Sequence, residues 1–231
     1  MADPGTWLQV LLLGLPATLI ATVGGIAATV ILSLAAGLAL LSPHRAVRMI
    51  SRVYVEGLRG TSEVVQLFWI FFALPVLVGF QIVPIWAGVL VLGVNHGAYG
   101  AEIVRGAVRS VPRAQYEGAL ALSLSPAQRM RRVILPQAVV EMLPPFNNLF
   151  IQLLKSTALL SFVFVQDVTR QAHDVLIPAF NPYVVPILLL ALAFYLVLSL
   201  LITAAMRALE RVAARRLGRG PAARVRRPVR V

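Results

Sequence analysis

The 231-residue chain contains no cysteine. Disulfide frameworks and thiolate metal sites are therefore excluded. Histidine is nearly as scarce: His44, His96 and His173 lie far apart and form no metal-ligand spacing, so each reads as an ordinary interfacial or packed residue. Only 13% of residues are charged, and the nine acidic ones are scattered. The paired carboxylates or histidine clusters of an integral membrane enzyme are missing. No Gly-x-x-x-x-Gly-Lys-Ser/Thr phosphate loop occurs, so this chain is not itself an ATPase. No duplication relates the hydrophobic segments, which argues against a stand-alone carrier built from inverted repeats. Residues 1–10 hold no Lys or Arg. A cleavable signal peptide needs a basic leading region, so the first span is expected to be retained.

What is present is apolar. Hydrophobic residues make up 59% of the chain and the mean hydropathy is +0.83. This composition predicts an all-α integral membrane protein with one membrane domain, residues 1–206, and a basic tail, residues 207–231. Five spans are expected, over about 17–41, 63–80, 85–101, 138–165 and 183–206. Pro16 is expected to separate residues 8–15, as a short outer-surface segment, from the first span. Gly24, Gly25, Ala28, Ala36 and Gly37 would let a second helix approach that span closely. Pro75 is expected to kink the second span and Pro144-Pro145 to bend or interrupt the fourth. Residues 166–182 read as a mixed-charge loop, and composition predicts disorder beyond about Gly218.

The net charge of +12 needs no nucleic acid to explain it. Of 21 basic side chains, 19 fall in three segments, 45–59, 105–132 and 207–230, on one side of a five-span topology. The positive-inside rule then places the N-terminus outside and the C-terminus in the cytoplasm. The tail reads either as a topology-fixing, solvated segment or as a ligand for anionic lipid.

The most patterned stretch runs from Gln115 to Thr157, with a hydrophilic insert over 102–136. Ser125-Pro126 is a helix start, Ser at the N-cap and Pro at the first helical position. Two short helices should therefore meet near Leu124, with Pro136 breaking the second before the next span. Glu117, Gly118, Ala119, Ala121 and Leu122 give the first helix a small-residue surface with one charge, suited to a partner's groove. A plain cytoplasmic loop with topology-fixing arginines is the alternative reading.

Glu117-Gly118-Ala119, Leu122-Ser123 and Ile134-Leu135-Pro136 resemble the EAA loop of ABC-importer permeases. Gly118 stands where Ala is usual and Ser123 where the hinge Gly is usual. Tyr54-Val55-Glu56, Arg59-Gly60-Thr61 and Gln66-Leu67-Phe68 resemble the YVE…RGTP…VQLF signature of the polar amino acid permease family, with Ser62 for its Pro and Glu63 at a usually apolar position. Asn95, Gly97-Ala98-Tyr99, Ala101-Glu102-Ile103, Arg105-Gly106 and Val111-Pro112 resemble the next block. Leu153-Leu154-Lys155-Ser156-Thr157 is similar to LLKDTSL, with Ser156 for Asp. Within the family, GTSEVVQLFWIFFALP and LSPAQRMRRVILPQ look most like permeases of ectoine and hydroxyectoine importers. Glutamine, histidine or arginine permeases are the alternative.

The resemblance implies a non-catalytic permease subunit in the bacterial cytoplasmic membrane. It implies three partners: an ATP-binding subunit dimer that grips Glu117–Leu135, a second permease subunit, with a heterodimer favoured, and an extracytoplasmic solute-binding protein. No cofactor is expected on this chain, ATP being bound by the partner. ATPase coupling would use Glu117, Gly118, Ala119, Ala121, Leu122, Ser123, Ile134 and Pro136. Polar residues inside spans are candidates for a solute path: Gln66, Asn95, Glu102, Asn148, Gln152, Lys155 and Thr157. Lys155 has a structural alternative, neutralisation by a carboxylate such as Glu102 or Glu141 or capping of backbone carbonyls. The amides have one as well, as interhelical hydrogen-bond glue. Phe68, Trp69, Phe71 and Phe72 read as packed or lipid-facing aromatics or as π faces for a cationic ring.

Overall fold

A computed structural model describes residues 4–216. Within them the chain is helical and no strand occurs. Helix α1 spans Pro4–Ala39 and α2 Arg45–Arg59. Helix α3 spans Glu63–Val78 and turns 101° away from α2. Helix α4 spans Pro84–Ser110, α5 Arg113–Ala121 and α6 Pro126–Arg129. Helix α7, Leu135–Ser156, ends in a 3₁₀ turn over Thr157–Val163. Helix α8 spans Val168–Ala179 and α9 Val184–Arg216. By length and composition two helical runs, Pro4–Ala39 and Asn181–Arg215, suit a membrane crossing, and four do if each of two bent pairs counts as one span. Helix α4, at 27 residues or about 40 Å, is also long enough, but Asn95, His96, Glu102, Arg105 and Arg109 dilute its apolar character.

The core is a seam between α1 and α4. A Cβ on Gly24 would lie 3.1 Å from Val89, one on Gly93 would overlap Ala28, and one on Gly97 would lie 2.8 Å from Leu32. A Cβ on Gly37 would stand 2.6 Å from Val104. The partners advance together along both helices, so α1 and α4 run parallel. Small residues bring the backbones close enough for van der Waals contact along the whole length, as their spacing predicts. Helix α3 runs the other way: Glu63 meets His96, Gln66 meets Asn95, and Leu67 packs beside Val91 and Leu92. Helix α7 is also antiparallel to α4. Ile134 and Ala138 pack with Val104 and Val108, and a Cβ on Gly88, near the other end, would overlap Leu160. Helix α9 packs chiefly along α7, with Ile187 near Leu11 of α1 and Met206 in the Val104–Ile134 cluster.

Several expectations are corrected. Pro16 does not end a segment, because α1 is continuous through it. Trp7, Leu11 and Thr18 are buried, and Thr18 Oγ1 accepts from Val168 N–H at 3.2 Å, so packing against α8 holds the N-terminal half in helix. Of the two outcomes expected at Pro144-Pro145, a bend or an interruption, the interruption does not occur, because α7 runs through both. Residues 166–182 are not a plain loop. Asp167 caps α8 by accepting from the Thr169 and Arg170 N–H groups, while Val168, Ala172 and Leu176 bury one face against α1 and α9. Helix α9 also continues about ten residues past the expected end of the fifth span. The expected disordered tail lies outside the described residues.

Three π-helical turns, Trp69–Ala73, Met130–Ile134 and Gln171–Leu176, each end two residues before a proline: Pro75, Pro136 and Pro178. Proline clashes with the carbonyl four residues back and offers it no N–H. One widened turn shifts the hydrogen bond to the fifth residue back, as in Leu135 N–H to Met130 O, and the helix continues. Pro136 is therefore not the break expected of it. Helices α6 and α7 form one continuous run.

The tightest seam contact outside α4 gives a test. A Cβ on Gly14 would stand 2.5 Å from the Asp167 carbonyl carbon, a backbone atom that cannot rotate away. Gly14→Ala should cost about 1–3 kcal/mol, read as a lower unfolding temperature of the detergent-purified protein. Gly106→Ala, whose Cβ meets nothing within 4 Å, should leave it unchanged or raised.

Candidate coupling segment and solute path

Helix α5 is fixed to the membrane helices at several points. Ala119 is buried, and Tyr116 Oη donates to Val108 O at 3.1 Å. Gln137 Nε2 donates to Gln115 Oε1 at 3.2 Å, tying α7 to α5. Ile134 is fully buried among Val104, Val108 and Ala138. Helix α5 closes with a Schellman arrangement: Ser123 N–H donates to Leu120 O at 2.8 Å and Leu124 N–H to Ala119 O at 3.1 Å. Ser123 takes φ of 56°, the left-handed value expected where a hinge glycine is usual. Ser125 and Gln128 then form a reciprocal capping box that starts α6.

The segment's outer surface is uncovered. Glu117, Gly118 and Ala121 are exposed, and Leu120 and Leu122 are 63% and 74% exposed. A Cβ on Gly118 would meet nothing within 4 Å. Pro136 is half-buried at the start of α7.

The solute-path candidates separate into three groups. Asn148, Gln152 and Lys155 lie exposed on one face of α7, at helical spacing. Asn148 and Gln152 line a shallow groove with Arg59, Tyr99 and Glu102. Glu102 pairs with Arg105 Nε at 2.8 Å, and the Arg59 guanidinium lies 5.1 Å from the Tyr99 ring centre. Lys155 makes no ion pair among the described residues, so the expected neutralisation by Glu102 or Glu141 is not found. Gln66 and Asn95 form the second group. Gln66 Nε2 donates to Leu58 O at 3.0 Å and Thr61 Oγ1 at 2.7 Å, and Asn95 Nδ2 donates to Gln66 Oε1 at 3.1 Å. These amides satisfy the carbonyl end of α2. Thr157 belongs to neither of these: it is buried, donates to Leu154 O at 2.7 Å and neighbours the Tyr195 hydroxyl. Phe68, Phe71 and Phe72 make edge contacts with one another and with Phe162.

Residues 29–215 match the family described as "binding-protein-dependent transport system inner membrane component". The chain belongs to this family. It is therefore a membrane subunit of a transport system, non-catalytic in itself. A probable amino-acid ABC transporter permease protein of Sinorhizobium fredii, y4tF, is 48% identical over 147 residues, 62% of each chain. The glutamine transport system permease protein GlnP of Escherichia coli K12 is 37% identical over 205 residues, 88% of this chain and 93% of GlnP. A crystal structure of an amino acid ABC transporter with histidines matches at a TM-score of 0.80 and 32% identity, covering 89% of this permease and 95% of that chain. The MetNI methionine ABC transporter, at 22% identity and a TM-score of 0.75, shares the fold. The ectoine expectation gains no support from these relatives.

Two departures from the family pattern meet in this permease. Ser156 Oγ donates to Glu63 Oε2 at 3.0 Å across the α3–α7 interface. The carboxylate that the resemblance expects at position 156 is supplied from position 63. The fully buried His96 completes the group, its Nδ1 3.1 Å from Leu92 O and 3.4 Å from Glu63 Oε1. A carbonyl can only accept, so Nδ1 carries the proton. Sequence reading singled out Glu63 and Ser156 as separate oddities. Their pairing would have shown as two complementary departures, one gaining a carboxylate and one losing it.

Two predictions follow from this geometry. Ser123→Gly should stabilise the protein by roughly 1 kcal/mol, because an L side chain disfavours the left-handed region, and Ser123→Val should destabilise it; thermal unfolding in detergent measures both. Glu63→Val should cost about 1–3 kcal/mol by orphaning the Ser156 hydroxyl. Adding Ser156→Asp to that variant should recover most of the loss, whereas Ser156→Asp alone should destabilise by setting two carboxyls together.

Proposed function

We propose that this permease is one of two membrane subunits of an importer for a polar amino acid, driven by ATP hydrolysis on a partner subunit dimer. The substrate class follows from relatives named for amino acids, glutamine and arginine among them. These favour amino acids over the ectoine that short stretches of sequence suggest. An extracytoplasmic binding protein delivers the solute to the outer face. The chain crosses the membrane five times, as α1, α3, α4, α7 and α9, with the N-terminus outside and the C-terminus in the cytoplasm. The alternating directions of these helices and the one-sided arginines support that topology.

The observation that carries the reading is the uncovered α5 surface on a firmly anchored support. Leu120 and Leu122 present apolar area to water beside the Glu117 carboxylate. Such a patch on a hydrophilic segment is a docking face. The ATP-binding subunits grip Glu117, Gly118, Ala121 and Leu122. Ala119, Ser123, Ile134 and Pro136 hold the segment's shape and transmit its displacement. Ile134 passes it to α4 and the continuous α6–α7 run passes it along α7, so the helices move as one body. ATP is held by the partner, and no cofactor is assigned to this chain.

The exposed polar face of α7 supports the path assignment. Asn148, Gln152 and Lys155 are costly against lipid. They face the second permease subunit across a water-filled path, with Glu102 at its margin. Lys155 offers its ammonium to the solute carboxylate. Gln66, Asn95 and Thr157 shape the wall from behind rather than touch solute. The mass of the purified complex decides whether the second permease is identical or a similar chain.

The test is uptake by the complete transporter in liposomes. Radiolabelled glutamine, histidine, arginine and ectoine are compared with and without ATP. An amino acid should be taken up, and Glu117→Arg should lower the rate by at least about tenfold, since a reversed charge opposes docking. Uptake of ectoine alone would overturn the substrate reading. Wild-type uptake by an assembled Glu117→Arg complex would remove Glu117 from the coupling contact.

A further inference from the structure

Helix α2 has three different faces. Ser51 and Val55 are buried, with Tyr54 and Leu58 half-buried beside them, against α1 and α4. Tyr54 Oη donates to Val94 O at 2.8 Å, so this face is firmly seated. About a third of a turn away, Met49, Ile50 and Val53 are 70%, 71% and 66% exposed. Another third of a turn on, Arg45, Arg52 and Glu56 are exposed. At about 100° per residue these positions form three continuous stripes: one packed, one apolar and one charged.

Each stripe requires a different medium. A helix surrounded by water would not present Met, Ile and Val together. A helix surrounded by hydrocarbon would not present two arginines and a glutamate. Protein, hydrocarbon and water meet only at the surface of the bilayer. The chain also bends by 101° between α2 and α3, as a helix lying in the membrane plane must before entering the membrane.

We propose that α2 is an interfacial helix, with Met49, Ile50 and Val53 in the acyl region and Arg45 and Arg52 on anionic lipid headgroups. The charge supports an anionic surface. Arg45, Arg48, Arg52 and Arg59 oppose one carboxylate, Glu56, which reaches Arg52 at 3.6 Å, and the Arg59 guanidinium lies over the Tyr99 ring. Arg48 is committed to the end of α1, donating to Ser42 O at 2.8 Å. Arg45 and Arg52 are left as the outward donors. Which leaflet α2 occupies rests on the orientation proposed above; contact with lipid does not.

The absence of cysteine makes the test direct. Ile50→Cys and Glu56→Cys variants of the assembled transporter carry a nitroxide label in vesicles of phosphatidylcholine and phosphatidylglycerol. The Ile50 label should be relaxed by oxygen, which concentrates in hydrocarbon, and shielded from a water-soluble nickel chelate. The Glu56 label should show the reverse. Shielding of the Ile50 label from both would mean that protein covers the face, and relaxation by the chelate would mean water. Either result overturns the proposal. Spin-labelled phosphatidylglycerol held by the complex should fall about fivefold for each arginine removed in Arg45→Gln and Arg45→Gln/Arg52→Gln. Unchanged retention would overturn the headgroup assignment. Uptake of the wrong solute, or an inverted topology, would leave these readouts unaffected.

Discussion

The close parallel approach of α1 and α4 is the contact on which the other helices depend. It exists because Gly37, Gly93 and Gly97 leave no side chain between the backbones. Hydrocarbon cannot drive two apolar helices together as water does, so the contact must come from dispersion over matched surfaces. Once α4 is held, it serves as the central post. Its N-terminal half receives α3, its C-terminal half receives α7, and its last turns receive the Ile134 side chain and the Tyr116 hydroxyl.

That arrangement ties the short hydrophilic segment to the helical core. Helix α5 is joined to α4 and α7 by buried contacts and by a hydrogen bond at its base. Helix α6 flows into α7 through a widened turn rather than a hinge. The run from Pro126 through Ser156 therefore carries no break in its helix. The polar face of α7 begins at Asn148, between about three and four turns along the same rod. The Glu63–Ser156 contact sits at its far end, fastening α7 to α3.

Much of this was legible in the residues. Small side chains at helical spacing forecast the α1–α4 seam. Ser125-Pro126 forecast a helix start, whereas Ser123, standing where a hinge glycine is usual, left the geometry of the turn open. Other features depend on partners distant in sequence. Proline at 16 reads as a break, but a neighbouring helix end packed against Gly14 and Thr18 keeps α1 intact. Proline at 136 reads as a stop, but a widened turn accommodates it. Asp167 and Arg170 read as loop charges, although the carboxylate caps a helix whose Val168, Ala172 and Leu176 form a short buried stripe. Gln66 and Asn95 looked like path residues because spans seldom carry amides. Only the fold shows that they answer the open carbonyl of Leu58.

The central claim is that α5 and its following turn form the contact with the ATP-binding subunit. A photo-crosslinking amino acid at Leu122, in an assembled and ATP-hydrolysing complex, tests it most directly. The account predicts a covalent adduct with the ATP-binding subunit, identified by mass spectrometry, and none when the same group replaces Leu189 on the exposed face of α9. An assembled complex that yields no adduct from Leu122, or yields it equally from Leu189, would contradict the account.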